Sequence, residues 1–107
     1  MKEHRKGKRV PLDVYLNKFV RGVPFMVRAR DISPEGIYLT QLLEPQTEEE
    51  RVGVQFQLPG SREIIYAEGK VVRDEEAGGA AGNGVHFTLI TDHHRKLIRK
   101  YIARRAA

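Results

Sequence analysis

Residues 23–40 read VPFMVRARDISPEGIYLT, and this stretch decides the fold of the chain. Val, Phe, Val and Ala alternate with Pro, Met, Arg and Arg over residues 23–30, which is the period of a half-buried β-strand. The turn-forming residues Ser, Pro and Gly follow within residues 31–36. Ile37 and Leu39 then resume the period of two, so the stretch predicts two consecutive strands joined by a turn.

The same period of two recurs before and after this stretch. The alternating apolar sets are Leu12, Val14 and Leu16; Val52, Val54, Phe56 and Leu58; Ile65, Ala67, Gly69 and Val71; and Val85, Phe87 and Leu89. The first set ends at a polar turn near Asn17-Lys18 or near Arg21-Gly22. Residues 44–50 and 77–84 are predicted to be loops, the first acidic and the second glycine-rich. Because six short strands are joined by turns without crossover helices, residues 11–90 are predicted to form an antiparallel barrel or a tight sandwich.

From Thr91 onwards the apolar residues follow the period of a helix. Thr91 or Asp92 can accept hydrogen bonds from the first free backbone N–H groups as an N-cap, and the late cations suit the helix C-terminus. One helix is therefore predicted over residues 91–105. It is expected to pack on the sheet by an apolar stripe of Leu97, Ile98, Tyr101 and Ile102.

Composition places the chain among globular proteins of one domain, residues 1–107. Hydrophobic residues make up 40% and charged residues 31% of the sequence, which is ordinary for a globular protein. No apolar run approaches the ~20 residues of a membrane-spanning helix, so we expect no membrane insertion. The charged N-terminus leads into no apolar signal segment and the sequence contains no cysteine, so a reducing cytoplasm is the expected location.

The net charge of +5 is concentrated at the two ends of the chain. Residues 1–9 hold five Lys or Arg and one Glu, and residues 95–107 hold six Lys or Arg and no acid. The segment between them, residues 10–94, holds eight basic and thirteen acidic residues. Basic ends on an acidic body favour anion binding near a terminus and predict no nucleic-acid partner. We interpret the C-terminal cluster as complementing the dipole of the predicted helix and solubilising it.

The N-terminal segment contains the pattern R-x-x-x-R, formed by Arg5 and Arg9. A guanidinium group presents a planar fork of donors that binds two phosphate oxygens or the O6/N7 edge of guanine, and its plane stacks on purine rings. Residues 1–10 are therefore predicted to be a flexible basic arm that binds an anionic ligand. The alternative is a solvated basic arm, because this pattern is common by chance in basic sequences.

The turn after the first long strand carries a second pattern, D-x-S-x-x-G, formed by Asp31, Ser33 and Gly36. A carboxylate accepts hydrogen bonds from guanine N1–H and the 2-amino group together, and a serine hydroxyl donates or accepts. Glycine lets a ligand ring or a backbone approach closely, or adopts a positive φ. The alternative is that Asp31 and Ser33 cap the turn and Gly36 is its turn glycine.

The two patterns in this order resemble the PilZ domain family, whose hallmark is R-x-x-x-R followed by [D/N]-x-S-x-x-G. The likeness continues through Gly36-Ile37-Tyr38-Leu39, Glu68-Gly69-Lys70-Val71-Val72 and Gly84-Val85-His86-Phe87, and so covers essentially the whole chain. The resemblance implies an all-β fold, a six-stranded antiparallel β-barrel with one C-terminal α-helix. It also implies that the ligand is cyclic di-GMP, a bacterial second messenger.

By this resemblance, Arg5 and Arg9 would bind the phosphates of cyclic di-GMP and stack on or bond to guanine. Asp31 and Ser33 would recognise a guanine edge, and Gly36 would give the ring clearance.

The chain departs from the family pattern at two positions. Arg73 stands where many relatives have a Trp that packs on a guanine, and an arginine can also stack on a purine. His4 stands where the family often has another Arg or an apolar residue, and it leaves open whether one nucleotide or a stacked pair binds.

The expected function is that of a receptor, with no catalytic residues, no metal and no cofactor. His93 and His94 are adjacent on the predicted helix and point about 100° apart, so they cannot easily share a metal ion. The resemblance implies a cyclic di-GMP receptor that relays the messenger level to a separate protein partner in motility, adhesion or exopolysaccharide control. The alternative is an adaptor of the same fold that acts through protein contacts without binding the nucleotide.

Overall fold

The computed structural model describes residues 8–40, 51–73 and 82–106. Within these ranges the chain forms seven β-strands followed by one α-helix. The strands are β1 (Val10–Pro11), β2 (Tyr15–Val20), β3 (Val23–Ser33), β4 (Gly36–Thr40), β5 (Arg51–Phe56), β6 (Ile65–Arg73) and β7 (Gly82–Ile90), and the helix is α1 (Asp92–Ala106). The acidic loop predicted over residues 44–50 lies outside the described residues.

The six strands β2 to β7 close into an antiparallel barrel. Their order around the barrel is β2-β3-β4-β7-β6-β5, and β5 pairs back to β2. The two-residue strand β1 pairs with the end of β3, beyond the segment of β3 that pairs with β2. The prediction of an all-β, six-stranded antiparallel barrel with one C-terminal helix is therefore confirmed.

The hairpin between β2 and β3 turns at Arg21 and Gly22. These residues have φ angles of 54° and 80°, and a two-residue turn with both φ angles positive is the type I′ turn that matches the twist of the strands. The alternative turn near Asn17 and Lys18 is wrong, because both residues lie inside β2. Lys18 lies on the buried face of β2, where it is 1% exposed and interacts with another group of the chain.

Gly22→Ala is expected to lower the free energy of unfolding by about 1 kcal/mol, because a positive φ is strained for a residue with a Cβ atom. Steric overlap adds nothing, since a Cβ at this position meets no heavy atom within 4 Å. Gly22→Asn should recover most of the loss, because asparagine tolerates positive φ. Urea denaturation of the three proteins measures the effect, and equal stability of Gly22→Ala and the wild type would contradict it.

β3 contains a β-bulge that changes which side chains face outwards. Ala29 and Asp31 have consecutive partners in β4, so Arg30 is an extra residue in the ladder. Ala29 and Ile32 are both buried, although they are three positions apart instead of two. Arg30 and Asp31 consequently both lie on the outer side of the barrel, where strict alternation would place only one of them.

A second bulge lies between β6 and β7. Glu68 pairs with Leu89 and Gly69 pairs with Phe87, so Thr88 is the extra residue. The prediction that Leu89 faces the core together with Phe87 is wrong, because Leu89 is 62% exposed. The bulge at Thr88 reverses the alternation of side chains along β7.

β7 begins earlier than the sequence predicts. Residues 77–84 are predicted to be a glycine-rich loop, but the last three of them belong to β7 and pair with residues 38–40 of β4. Backbone pairing with β4 therefore overrides the low strand propensity of glycine at these positions. The other residues of this predicted loop lie outside the described ranges.

α1 lies against β1 and β3. The hydroxyl of Thr91 accepts a hydrogen bond from the backbone N–H of His94 at 3.1 Å, which identifies Thr91 as the N-cap. The predicted apolar stripe is confirmed, because its members are buried or partly buried: Ile98, Ile102, Leu97 and Tyr101. Within the described residues, no helix combines the length and the apolar character that crossing a membrane requires.

Candidate functional site

β1 brings the two sequence motifs together. Its pairing with β3 places Pro11 opposite Asp31, so Arg9, just before β1, lies beside the Asp31 side chain. The Nε and Nη2 atoms of Arg9 both donate hydrogen bonds to Oδ1 of Asp31, at 3.1 and 2.9 Å. One residue from each motif therefore contributes to a single ion pair.

The Arg9–Asp31 ion pair is accessible to solvent and weak. The two side chains are 43% and 31% exposed, and an exposed ion pair of this kind contributes about 0–1 kcal/mol to stability. Arg9 and Asp31 can therefore separate and each bind a group of a ligand instead, with little loss of free energy. A ligand that replaces both contacts must present an anion to Arg9 and hydrogen-bond donors to Asp31.

A groove of about 520 Å³ lies beside this ion pair. It is lined by residues from the start of the described chain, from the bulge of β3 and from the middle of β4: Arg9, Val10, Pro11, Arg30, Asp31 and Tyr38. Its volume is within the range of about 300–1,000 Å³ that is usual for ligand sites. Two of the predicted binding residues, Arg9 and Asp31, therefore line a groove of suitable size.

Arg30 and Tyr38 are lining residues that the sequence analysis missed. The guanidinium carbon of Arg30 lies 5.5 Å, and that of Arg9 5.9 Å, from the centre of the Tyr38 ring, which is within the distance of a cation–π contact. The position of Tyr38 opposite Asp31 could have been derived from the sequence. A two-residue turn after Ser33 sets the strand register, and that register pairs Asp31 with Tyr38. The placement of Arg30 beside Asp31 could not, because strict alternation puts the two on opposite faces and only the bulge brings them to the same side.

Ser33 uses its hydroxyl within the turn between β3 and β4. The Oγ atom accepts a hydrogen bond from the backbone N–H of Glu35 at 3.2 Å and donates one to the carbonyl oxygen of Gly36 at 3.4 Å. This arrangement is the turn-capping alternative that the sequence left open. The role of Ser33 in recognising guanine stays a prediction.

Gly36 allows β4 and β7 to approach closely. A Cβ atom at this position would lie 2.5 Å from the carbonyl oxygen of Val85, closer than non-bonded atoms can come. The described residues with positive φ are Arg21, Gly22 and Gly60, so a left-handed conformation is not the reason for glycine here. Close backbone approach is therefore the observed role of Gly36, and ligand clearance stays a prediction.

The remaining predicted site residues fall outside the described part of the structure. They are His4 and Arg5, and also the side chain of Arg73. The backbone of Arg73 pairs with Asn83 of β7, and Asn83 pairs with Leu39 of β4. The roles predicted for these residues in ligand binding stay predictions.

Arg28 differs from Arg30 in its partner. Its Nε atom donates a hydrogen bond to Oδ1 of Asp13 at 2.7 Å. This hydrogen bond lowers the pKa of the Asp13 carboxyl below its ordinary value and raises the pKa of Arg28 above its own. Arg28 is thus bonded to a carboxylate outside the groove, whereas Arg30, on the same strand, lines the groove.

The two histidines at the start of α1 have structural partners. Nε2 of His93 lies 2.6 Å from Oε2 of Glu63, and Nδ1 of His94 lies 3.3 Å from the backbone nitrogen of Tyr66. These contacts attach the start of the helix to β6 and to the segment before it. Among the residues that the structure describes, no three His, Cys, Asp or Glu side chains are grouped so as to hold a metal ion.

A second groove, of about 430 Å³, is formed by residues of β2, β5, β6 and β7 and of the turn after β2. Within it, the hydroxyl of Tyr66 donates a hydrogen bond to Oε2 of Glu68 at 3.1 Å. Burial, and then this hydrogen bond, raise the pKa of Tyr66. None of the predicted binding residues with described side chains lines this groove, so the groove beside Arg9 is the candidate site.

Comparison with known proteins shows the family of the chain. The sequence profile of the PilZ domain matches residues 3–104, so the chain belongs to the PilZ domain family. Its fold is similar to that in the structure of Bacillus subtilis inhibitor of motility (MotI/DgrA), with a TM-score of 0.78 and 17% sequence identity. The similarity covers 98% of this chain and 52% of that protein, so this chain spans about half of its length. No curated protein matches the sequence significantly.

Proposed function

We propose that this protein is a receptor for cyclic di-GMP that relays the messenger level to a separate protein partner, without catalysing a reaction. Membership of the PilZ domain family supports this function, since the resemblance of both motifs to the family pattern implies this ligand. The observation that carries the proposal is the ion pair between Arg9 and Asp31 at the edge of a ligand-sized groove.

Cyclic di-GMP carries an anionic group that can bind Arg9 and hydrogen-bond donors that can bind Asp31. These are the two kinds of group that can replace the contacts of the ion pair. Its phosphates accept hydrogen bonds from a guanidinium fork such as that of Arg9. The N1–H and 2-amino groups of guanine are parallel donors, which a carboxylate such as Asp31 accepts. Each charged side chain then gains a partner from the ligand in place of the other, so neither is left unpaired.

The proposed relay begins at the part of the predicted N-terminal arm, residues 1–10, that precedes Arg9 and β1. Ordering of this arm over the nucleotide would bring Arg5 to the ligand together with Arg9. Such a disorder-to-order step changes the surface that a protein partner meets. We propose motility, adhesion or exopolysaccharide control in the cytoplasm as the setting, and the similarity in fold to a protein named an inhibitor of motility agrees with the first.

Isothermal titration calorimetry of the purified protein is expected to show binding of cyclic di-GMP at near-physiological salt. Cyclic di-AMP should bind at least about a hundredfold more weakly. Adenine offers Asp31 neither an N1–H nor a 2-amino donor, so it leaves a charged acceptor unpaired. The two ligands share the same phosphate backbone, so cyclic di-AMP controls for phosphate binding alone. Equal affinities, or no heat with cyclic di-GMP at high micromolar concentration, would contradict the proposal.

A second candidate function is that of a PilZ-fold adaptor that binds its protein partner without the nucleotide. It is favoured by the partners that site residues already have inside the chain: Arg9 pairs with Asp31, and the Ser33 hydroxyl bonds within its turn. Capture of the partner from the native cell by immobilised protein, with and without cyclic di-GMP, separates the two functions. A partner retained equally in both conditions by the wild type and by Arg9→Ala would favour the adaptor.

A further inference from the structure

The bulge in β3 brings Arg30 and Asp31 to the same side of the barrel. Strict alternation would send the side chains of Arg30 and Asp31 to opposite faces of the strand, but the extra residue places both on the outer side. Both line the same groove as Arg9. Bulges of this kind are over-represented next to functional sites, where they re-aim a side chain.

The groove holds more positive than negative charge. Its charged lining residues are two arginines, Arg9 and Arg30, and one carboxylate, Asp31. Asp31 is hydrogen-bonded to Arg9, and no carboxylate of the described ranges forms an ion pair with Arg30. A further negative charge, supplied by a ligand, would therefore find a cation of the groove available to bind it.

The ring of Tyr38 contacts both guanidinium groups of the groove. Both lie within cation–π distance of the ring, and the negative face of an aromatic ring offsets part of the repulsion between two cations. Tyr38 is only 8% exposed, so the ring is fixed by its neighbours. Its hydroxyl has no hydrogen-bond partner in the part of the chain that the structure describes, so the ring makes the contact with the arginines.

From these observations we propose that Arg30 is a further arginine for the nucleotide, outside the two motifs, and that Tyr38 is a positioning residue for Arg9 and Arg30. The inference rests on the proposed function and extends its site. When guanine engages Asp31, Arg9 and Arg30 present a pair of guanidinium groups to the pair of phosphates in the cyclic dinucleotide.

Arg30→Ala is expected to weaken the binding of cyclic di-GMP about tenfold or more in calorimetry, because a charge-assisted hydrogen bond to phosphate is lost. Arg30→Lys keeps the charge but not the planar fork, so its affinity should lie between those of the wild type and Arg30→Ala.

Arg28→Ala is the matched control for Arg30→Ala. It removes the same charge from the same strand, but Arg28 bonds to Asp13 outside the groove, so its affinity should stay within about twofold of the wild type. Wild-type affinity of Arg30→Ala, or equal losses in the two alanine variants, would overturn the role of Arg30.

Tyr38 is tested with two variants that separate its ring from its hydroxyl. Tyr38→Phe keeps the ring and removes only the unpartnered hydroxyl, so it should bind within about twofold of the wild type and be at least as stable. Tyr38→Leu removes the aromatic face and should weaken binding about fivefold or more. Circular dichroism checks that both variants are folded. Loss of binding in Tyr38→Phe, or wild-type affinity of folded Tyr38→Leu, would overturn the positioning role.

These measurements also separate the inference from the proposed function. A wild-type protein that does not bind cyclic di-GMP overturns both. If the wild type binds, Arg9→Ala loses binding and Arg30→Ala keeps it, the proposed function stands and only the inference is overturned.

Discussion

Arg9→Ala is expected to lower the affinity for cyclic di-GMP about a hundredfold or more, because the bidentate, charge-assisted hydrogen bonds to a phosphate are lost. The free energy of unfolding should fall by no more than about 1 kcal/mol, since the free protein loses only an exposed ion pair with Asp31. Calorimetry and urea denaturation of the same preparation measure the two quantities. A large loss of affinity with a small loss of stability distinguishes a ligand contact from a structural one.

Lys8→Ala is the control for Arg9→Ala. Lys8 is adjacent and exposed, so its removal changes the net charge of the same segment by the same amount. Its long-range attraction for a dianionic ligand is screened at physiological salt, and the affinity should change by no more than about threefold. If Lys8→Ala and Arg9→Ala lose the same affinity, the segment acts through its net charge and the specific contact of Arg9 is refuted.

Gly36→Ala is expected to lower the free energy of unfolding by about 2–3 kcal/mol, because overpacking a rigid contact forces the backbone to shift. The added Cβ would lie 2.5 Å from the carbonyl oxygen of Val85 and 3.4 Å from the Cα of His86. Both atoms belong to the backbone of β7, so no side-chain rotation relieves the overlap. A loss of this size lowers the melting temperature by about 10 °C or more in a domain of this length, which thermal unfolding followed by circular dichroism measures.

Gly84→Ala is the matched control for Gly36→Ala. Its Cβ would meet its nearest atoms at 3.4 Å, the carbonyl oxygen of Val72, and at 3.6 Å, a ring carbon of Tyr38. These are ordinary contacts or only slightly tight, so the loss should stay below about 1 kcal/mol. A Gly36→Ala protein of wild-type stability that fails to bind cyclic di-GMP would show that the glycine serves the ligand and not the barrel.

Most strands of the barrel were predictable because burial of one face imposes a period of two. In β5, Val52, Val54 and Phe56 are all buried as the alternation predicts. The alternation fails at Leu89, because an extra residue in β7 reverses the faces. Whether a strand contains a bulge depends on the strand beside it, so the sequence of one strand does not reveal it.

The candidate site was predictable in its residue types but not in its contacts. Arg9 and Asp31 carry the two motifs, yet they are 22 positions apart, and their contact depends on the pairing of β1 with β3. Ser33 and Gly36 each had alternative interpretations, and the structure shows a turn-capping hydroxyl and a close backbone approach. These outcomes depend on neighbouring backbone, which a motif does not describe.

By itself, the sequence determined the types of the elements, the position of the helix after the strands, and the pair of motifs that identifies the family. Those properties are local, since a period of two or of 3.6 and a motif are written in consecutive residues. Only the tertiary structure decided that Arg9 bonds to Asp31, that Arg30 and Tyr38 join them at one groove, and that Gly36 faces the backbone of β7. Strand register and bulges set these contacts, and they result from the packing of strands that are distant in the chain.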